Sequence, residues 1–235
     1  MKPLRRHQLV WLDEYAWFRV LASASSSHDP AQALAAEAMD CLAHWAQQRW
    51  PLVVTRQACE VVAGPPDAVL GLGLAAPAQW GRQSIRVSAS LFGVARQGDF
   101  PLADTIMPAL PAAAQAGWAA LCDGLASLGV VAHVYGSYGW QQLTGMAYVH
   151  AGSDIDLLID MKAAAQAAQA DQVAALLQAA QSLPLRIDGE LAFANGAAVA
   201  WREWLRFRSG QVGQILVKRL ALARLEDAAT WVTTA

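Results

Sequence analysis

Val134-Tyr135-Gly136-Ser137-Tyr138-Gly139-Trp140, followed by Ser153-Asp154-Ile155-Asp156-Leu157-Leu158, decides how this chain is read. The first stretch reads as a strand running into a Gly-Ser turn that opens a helix. The second reads as a strand carrying two carboxylates. Asp154 and Asp156 are two positions apart, so on a strand they share a face. Acids held side by side repel unless a cation sits between them. The Gly-Ser turn offers backbone N–H groups at a helix start, which suits a phosphate. Together these features point to metal-assisted phosphoryl or nucleotidyl transfer.

Around this centre, Trp118, Leu121, Cys122, Leu125 and Leu128 follow helical spacing, and Gly129 is placed to stop that helix. Val130–Tyr135 is the strand feeding the turn, and Ser137–Thr144 the helix after it. Met161–Ser182, rich in Ala and Gln, is expected to be one long helix, ended by Leu183-Pro184. The strand Leu185–Leu191 follows, with Arg186, Asp188 and Glu190 on one face and Leu185, Ile187 and Leu191 on the other. Gln214–Lys218 reads as a last strand, and the tail from Arg219 is expected to start as a helix.

Toward the N-terminus the signals are those of a small α+β unit. Ser23–Ser27 reads as a loop. Asp29 and Pro30 suit the N-cap and first position of a helix, and Gln32 adds a capping-box pattern. Ala31, Leu34, Ala35, Ala38, Leu42 and Trp45 give that helix one apolar face. Cys41 and His44 lie three apart on it; with no further ligand nearby they read as core residues rather than a metal pair. Pro51–Arg56, Val69–Leu74 and Ser84–Ala89 read as strands. Gly71 and Gly73 lack the third glycine of a dinucleotide loop and are read as a bend or bulge. Pro101, Pro108 and Pro111 mark a boundary, giving domains 1–108 and 109–235. The expected fold class is α+β: a small N-terminal α+β domain, then a mixed sheet flanked by helices.

The chain has 235 residues, 55% hydrophobic and 15% charged, enough to bury a real core. A net charge of −2 gives no basic footprint for long nucleic acid. Cys41, Cys59 and Cys122 are scattered and odd in number, which argues against a disulfide framework. The basic start is followed by Asp13, Glu14 and Arg19, unlike a signal peptide, and no apolar run is long enough to span a bilayer. The expectation is a cytoplasmic protein without membrane partners. Arg5-Arg6 is read as a solvated end.

Gly136-Ser137 followed by Asp154-Ile155-Asp156 resembles the signature of the nucleotidyltransferase superfamily. Tyr135-Gly136-Ser137, Trp140-Gln141, Leu143-Thr144-Gly145, Tyr148 and Ser153–Leu158 together resemble, more closely, the malonate decarboxylase holo-acyl-carrier-protein synthases, which are phosphoribosyl-dephospho-CoA transferases. Ala197–Trp204 is similar to that family's C-terminal segment. The resemblance implies a nucleotidyltransferase-like catalytic domain. It implies triphosphoribosyl-dephospho-CoA as donor and, as acceptor, a serine on the apo acyl-carrier subunit of malonate decarboxylase, with pyrophosphate released. It further implies Mg²⁺, or Mn²⁺, held by Asp154, Asp156 and a third carboxylate on a later strand. Asp188 is taken as that third acid, Glu190 being the alternative; it would bind metal, act as base, or both. Gly136, Ser137, Ser153 and Arg186 are the expected substrate contacts, with Arg202 and Lys218 as further cations for polyphosphate. Trp140 and Tyr148 are read as packing rather than base stacking. Two other readings stay open on the Gly-Ser and Asp-x-Asp pattern alone: transfer of AMP from ATP to a protein or small molecule, and a non-catalytic nucleotide-binding protein.

Overall fold

The computed structural model describes residues 3–26, 34–58, 68–161 and 166–227. They form an α+β fold in two compact units, Met1–Asp99 and Phe100–Ala235, each described by itself.

In the first unit β1 (Leu9–Leu12), β2 (Leu52–Val54), β3 (Val69–Ala75), β4 (Ser84–Ser90) and β5 (Val94–Gly98) form an antiparallel sheet in the order β4-β3-β2-β1-β5. Helix α1 (Glu14–Ser25) starts where the Asp13 carboxylate accepts a hydrogen bond from the Ala16 N–H at 2.7 Å. It runs through serines expected to form a loop, because Ser25 donates its hydroxyl to the Leu21 carbonyl and is satisfied inside the helix. Helix α2 spans Ala36–Gln48, later than the Asp29 start expected; Asp29 and Pro30 lie outside the described residues. Ala38, Cys41, Leu42 and Trp45 form its buried face. Burial pushes the Cys41 thiol up to about 11, as in a core residue, and half-buried His44 packs against the rings of Trp50 and Trp80. Gly71 and Gly73 do not make a bulge: β3 pairs with β4 in unbroken register from Val69–Ser90 to Ala75–Ser84. Arg5 pairs with Asp99 at 2.7 Å while both side chains stay partly exposed to solvent.

The second unit begins ahead of the break expected after Pro108. The Pro101 carbonyl accepts from the Val134 N–H, Leu102 bridges to His133, and a 3-10 segment, Ala103–Ala109, buries Ile106. Trp118, on α3 (Ala112–Ser127), donates its indole N–H to the Ala103 carbonyl at 2.9 Å. The strands are β6 (Val131–Tyr135), β7 (Ile155–Asp160), β8 (Ile187–Ala192), β9 (Ala198–Ala200), β10 (Gln214–Lys218) and β11 (Ala223–Asp227), in the order β11-β10-β9-β8-β7-β6. Only β7 and β8 run parallel among these pairs, joined through α5 (Gln166–Ala179). Helix α4 (Gly136–Thr144) follows β6, and α6 (Trp201–Arg208) follows β9.

Alternation divides this sheet. Val134, Ile155, Leu157, Ile187 and Leu191 lie in one core with Trp118, Leu125, Val173 and Leu177 of the helices. Asp156, Asp188, Glu190 and Lys218 take the opposite face, as their registers require. The described part of the tail, through Asp227, carries a strand, β11, in place of the expected helix. Arg219 and Arg224 both pair with Glu226, and the charges of Arg224 and Glu226 on β11 blunt an edge that would otherwise be open to pairing. No described helix is long and apolar enough to cross a membrane.

Candidate active site

Three neighbouring strands build the site. Tyr135 at the end of β6 opposes Asp156 on β7, and Asp156 stands in register with Asp188 on β8. Gly136 turns the chain into α4 with φ of +63°, and a Cβ there would fall 2.1 Å from Asp156 Oδ2. Glycine is therefore required twice, for the backbone angle and for the carboxylate pressed against it. The N-cap residue Tyr135 makes no side-chain cap hydrogen bond to α4, and the helix start abuts Asp156 at Gly136. Ser137 sits inside the first turn of α4 rather than at its cap.

Gly189, between the two acids of β8, is a backbone requirement of the site that sequence reasoning misses. Its φ is +149°, and a Cβ there would meet the Leu157 carbonyl oxygen at 2.2 Å. It lets β8 approach β7 closely enough for Asp188 to stand beside Asp156. A glycine between two strand acids is the available signal.

Burial first, then the charges of Asp188, Asp154 and Glu190, push the Asp156 carboxyl up to about 6. Two cations partly balance the four acids. Lys218 Nζ lies 2.6 Å from Glu190 Oε1, and Glu190 is only 5% exposed. Arg186 Nε lies 2.9 Å from Asp154 Oδ1, so it pairs with Asp154 and not with Asp188 on its own strand face. That contact lacks hydrogen-bond alignment, and the buried Oδ1 accepts no hydrogen bond among the described residues. Asp188 is exposed, and its Oδ1 accepts from the Gly189 N–H at 2.8 Å. Asp188 thus faces outward beside Asp156, whereas Glu190 is engaged by lysine.

Among the described residues no three His, Cys, Asp or Glu side chains converge as a ready metal-holding set. The donor chemistry nevertheless suits a hard cation: oxygen ligands only, an anionic excess, and an acid whose ionisation its neighbours oppose.

Other expected residues are occupied structurally. Ser153 accepts at Oγ from the His150 N–H and donates its own N–H to the His150 carbonyl, closing the loop before Asp154. Arg202 donates to Gln181 Oε1 and to the Ile187 carbonyl. Trp140 is buried edge-on against Phe100, with ring centroids 5.1 Å apart, and Tyr148 is buried as well.

Carboxylates gathered on adjacent strands against an open helix start equip a protein for group transfer, and this chain is an enzyme of the transferase class. Residues 5–99 match the family described as phosphoribosyl-dephospho-CoA transferase MdcG N-terminal domain, and residues 101–229 match its C-terminal domain. Over 214 residues the chain is 36% identical to the phosphoribosyl-dephospho-CoA transferase of Xanthomonas axonopodis pv. citri, covering 91% of this chain and 89% of that one. Over 231 residues it is 34% identical to the protein of that name from Bradyrhizobium diazoefficiens, covering 96% and 91%. The chain belongs to the phosphoribosyl-dephospho-CoA transferase family. No solved structure matches it.

Proposed function

We propose that this chain attaches the phosphoribosyl-dephospho-CoA group of triphosphoribosyl-dephospho-CoA to a serine of the apo acyl-carrier subunit of malonate decarboxylase. The catalytic unit is nucleotidyltransferase-like in this reading. The serine Oγ attacks the α-phosphorus of the donor. The bond from that phosphorus to the bridging oxygen of the β-phosphate breaks, a phosphodiester forms, and pyrophosphate leaves with the electron pair.

The chain's own residues have separate tasks. The first-turn amides of α4, at Gly136 and Ser137, hold phosphate oxygens. Asp188, exposed beside Asp156, takes the serine proton. Arg186 orients Asp154 and meets the charged donor at the rim. Mg²⁺ or Mn²⁺, held by Asp154, Asp156 and Asp188, would neutralise the triphosphate and make the hydroxyl more acidic.

One observation carries the reading: Asp156 is pressed against Gly136, and burial together with the flanking acids pushes its carboxyl up to about 6. An acid in that company costs stability and is explained by a cation that compensates it when the site is loaded.

Intact mass spectrometry of the apo carrier subunit tests this directly. The protein, Mg²⁺ and the donor form one sample, and ATP replaces the donor in a second. The expected result is a gain of donor minus pyrophosphate in the first sample only. A gain of AMP in the second would assign the chain to general nucleotidyl transfer. No gain in either, with folded protein and verified donor, would overturn the acceptor assignment.

A further inference from the structure

Trp140 and Gln141 lie on α4, beyond the Gly136 turn that meets Asp156. What Gln141 touches explains its presence. Its Oε1 accepts two backbone hydrogen bonds, from Tyr148 at 3.1 Å and from Val149 at 2.9 Å. Residues 145–154 join α4 to β7 without helix or strand. This connection is hung on a succession of side-chain acceptors. Thr144 Oγ1 accepts from the Met146 N–H, Gln141 takes the next pair, and Ser153 Oγ takes the His150 N–H. The segment they shape delivers Asp154 and Asp156. The helix carrying Gln141 is the one whose start, Gly136, abuts Asp156.

We infer that Gln141 is a positioning residue: its Oε1 locks the approach of Asp154 and Asp156 to the start of α4, so that the phosphate cradle and the acids are set by one element. This rests on the proposed reading of the acids as catalytic. Its chemical content is specific. The role needs an acceptor of two N–H groups, and the amide nitrogen takes no part in either bond. Gln141→Glu would keep that acceptor, whereas Gln141→Met keeps the length and lacks it.

The test compares these two variants in the full chain. Gln141→Met is expected to lower kcat by roughly 10- to 100-fold, with the KM for donor changed by less than about threefold. Gln141→Glu is expected to restore kcat to within about threefold of the native enzyme. Wild-type kcat in Gln141→Met, or equal losses in both variants, would overturn the inference. A second readout needs no turnover. Amide hydrogen exchange should be slow at Tyr148 and Val149 in the native chain. In Gln141→Met it should speed by about tenfold or more at both and at Ile155, leaving Leu157 and Ile159 protected. Rapid exchange at Tyr148 and Val149 in the native chain, or unchanged exchange at Ile155 in the variant, overturns the positioning role. If Gln141→Met does not fold, native exchange and the Gln141→Glu rate decide instead. An inactive native protein with the expected exchange pattern would refute the proposed reaction and leave the placement of the acids by Gln141 standing.

Discussion

Asp156 and Asp160 stand on the same face of β7 and live in opposite company. Asp160 lies beside His133, whose Nε2 is 3.9 Å from its Oδ2 and whose Nδ1 donates to the Phe100 carbonyl at 2.7 Å. Asp156 meets Gly136 on one side and Asp188 on the other, with Asp154 and Glu190 adding to the repulsion. One end of the strand gives its acid a hydrogen-bonded histidine; the other gathers acids around an acid. Identical side chains on one strand thus serve different ends. A carboxylate beside an imidazole suits a folded sheet, and a carboxylate among carboxylates is poised for something the chain itself does not supply.

The sharpest way to break this contrast is to truncate each end. Asp156→Ala, and likewise Asp154→Ala, should lower kcat/KM at least about 10³-fold, while Asp160→Ala should change it less than about threefold. Transfer rates followed by intact mass, with circular dichroism as the folding check, decide it. Equal losses at Asp156 and Asp160 would remove the distinction.

A smaller effect is expected one step back. Gly136→Ala places a Cβ 2.1 Å from Asp156 Oδ2 at φ of +63° and should cost roughly 1–3 kcal/mol of stability, with turnover down about 10²-fold. Gly129→Ala, at φ of +71° but with nothing within 4 Å of the added carbon, is the control. It should lose about 1 kcal/mol and keep its turnover. Denaturant melts and initial rates for the two variants, taken together, show whether the contact with Asp156 matters beyond the backbone angle.

The smallest effect is thermodynamic. The Asp156 pKa is raised in the folded chain from 3.8 to about 6, so folding favours its protonated form. That advantage is present below pH 3.8 and lost as pH rises through about 6. Ionised Asp156 therefore destabilises the chain at neutral pH. That rise corresponds to ~3 kcal/mol, and solvent reaching a partly exposed group reduces it to about 1–2 kcal/mol. Asp156→Asn should be more stable than the native chain by that amount at pH 7.5 and no more stable at pH 3.5. Mg²⁺ should narrow the difference at pH 7.5 by stabilising only the native acid. Urea titrations at both pH values, with and without Mg²⁺, measure it; a native chain as stable as Asp156→Asn at pH 7.5 without Mg²⁺ would contradict the crowding of the acids.

Much of the site is legible in the sequence because its signals are local. Gly136-Ser137 lies between a strand and a helix, and Asp154 and Asp156 obey strand alternation, so their common face follows from spacing alone. The same alternation puts Asp188 and Glu190 together on the next strand. The differences fall where local propensity is weak or ambiguous. Serines at the end of α1 suggest a loop because hydroxyls also favour turns, yet Ser25 bonds back into the helix. The segment after Lys218 suggests a helix, but pairing with β10 and the pull of Arg219 and Arg224 on Glu226 make it a strand. Partners distant in sequence are out of reach: Lys218 for Glu190, and Gln141 for the loop before the acids.

The sequence by itself determined the family, the alternation of polar and apolar strand faces, and the identity of the acids, because these depend on residue type and near-neighbour spacing. Tertiary structure alone decided which acids crowd one another, which cation each one meets, and why residues 136 and 189 must be glycine. Those outcomes depend on strand register and on the few ångströms between β6, β7 and β8, and a distance between strands is a property of the whole packed sheet rather than of any segment in it.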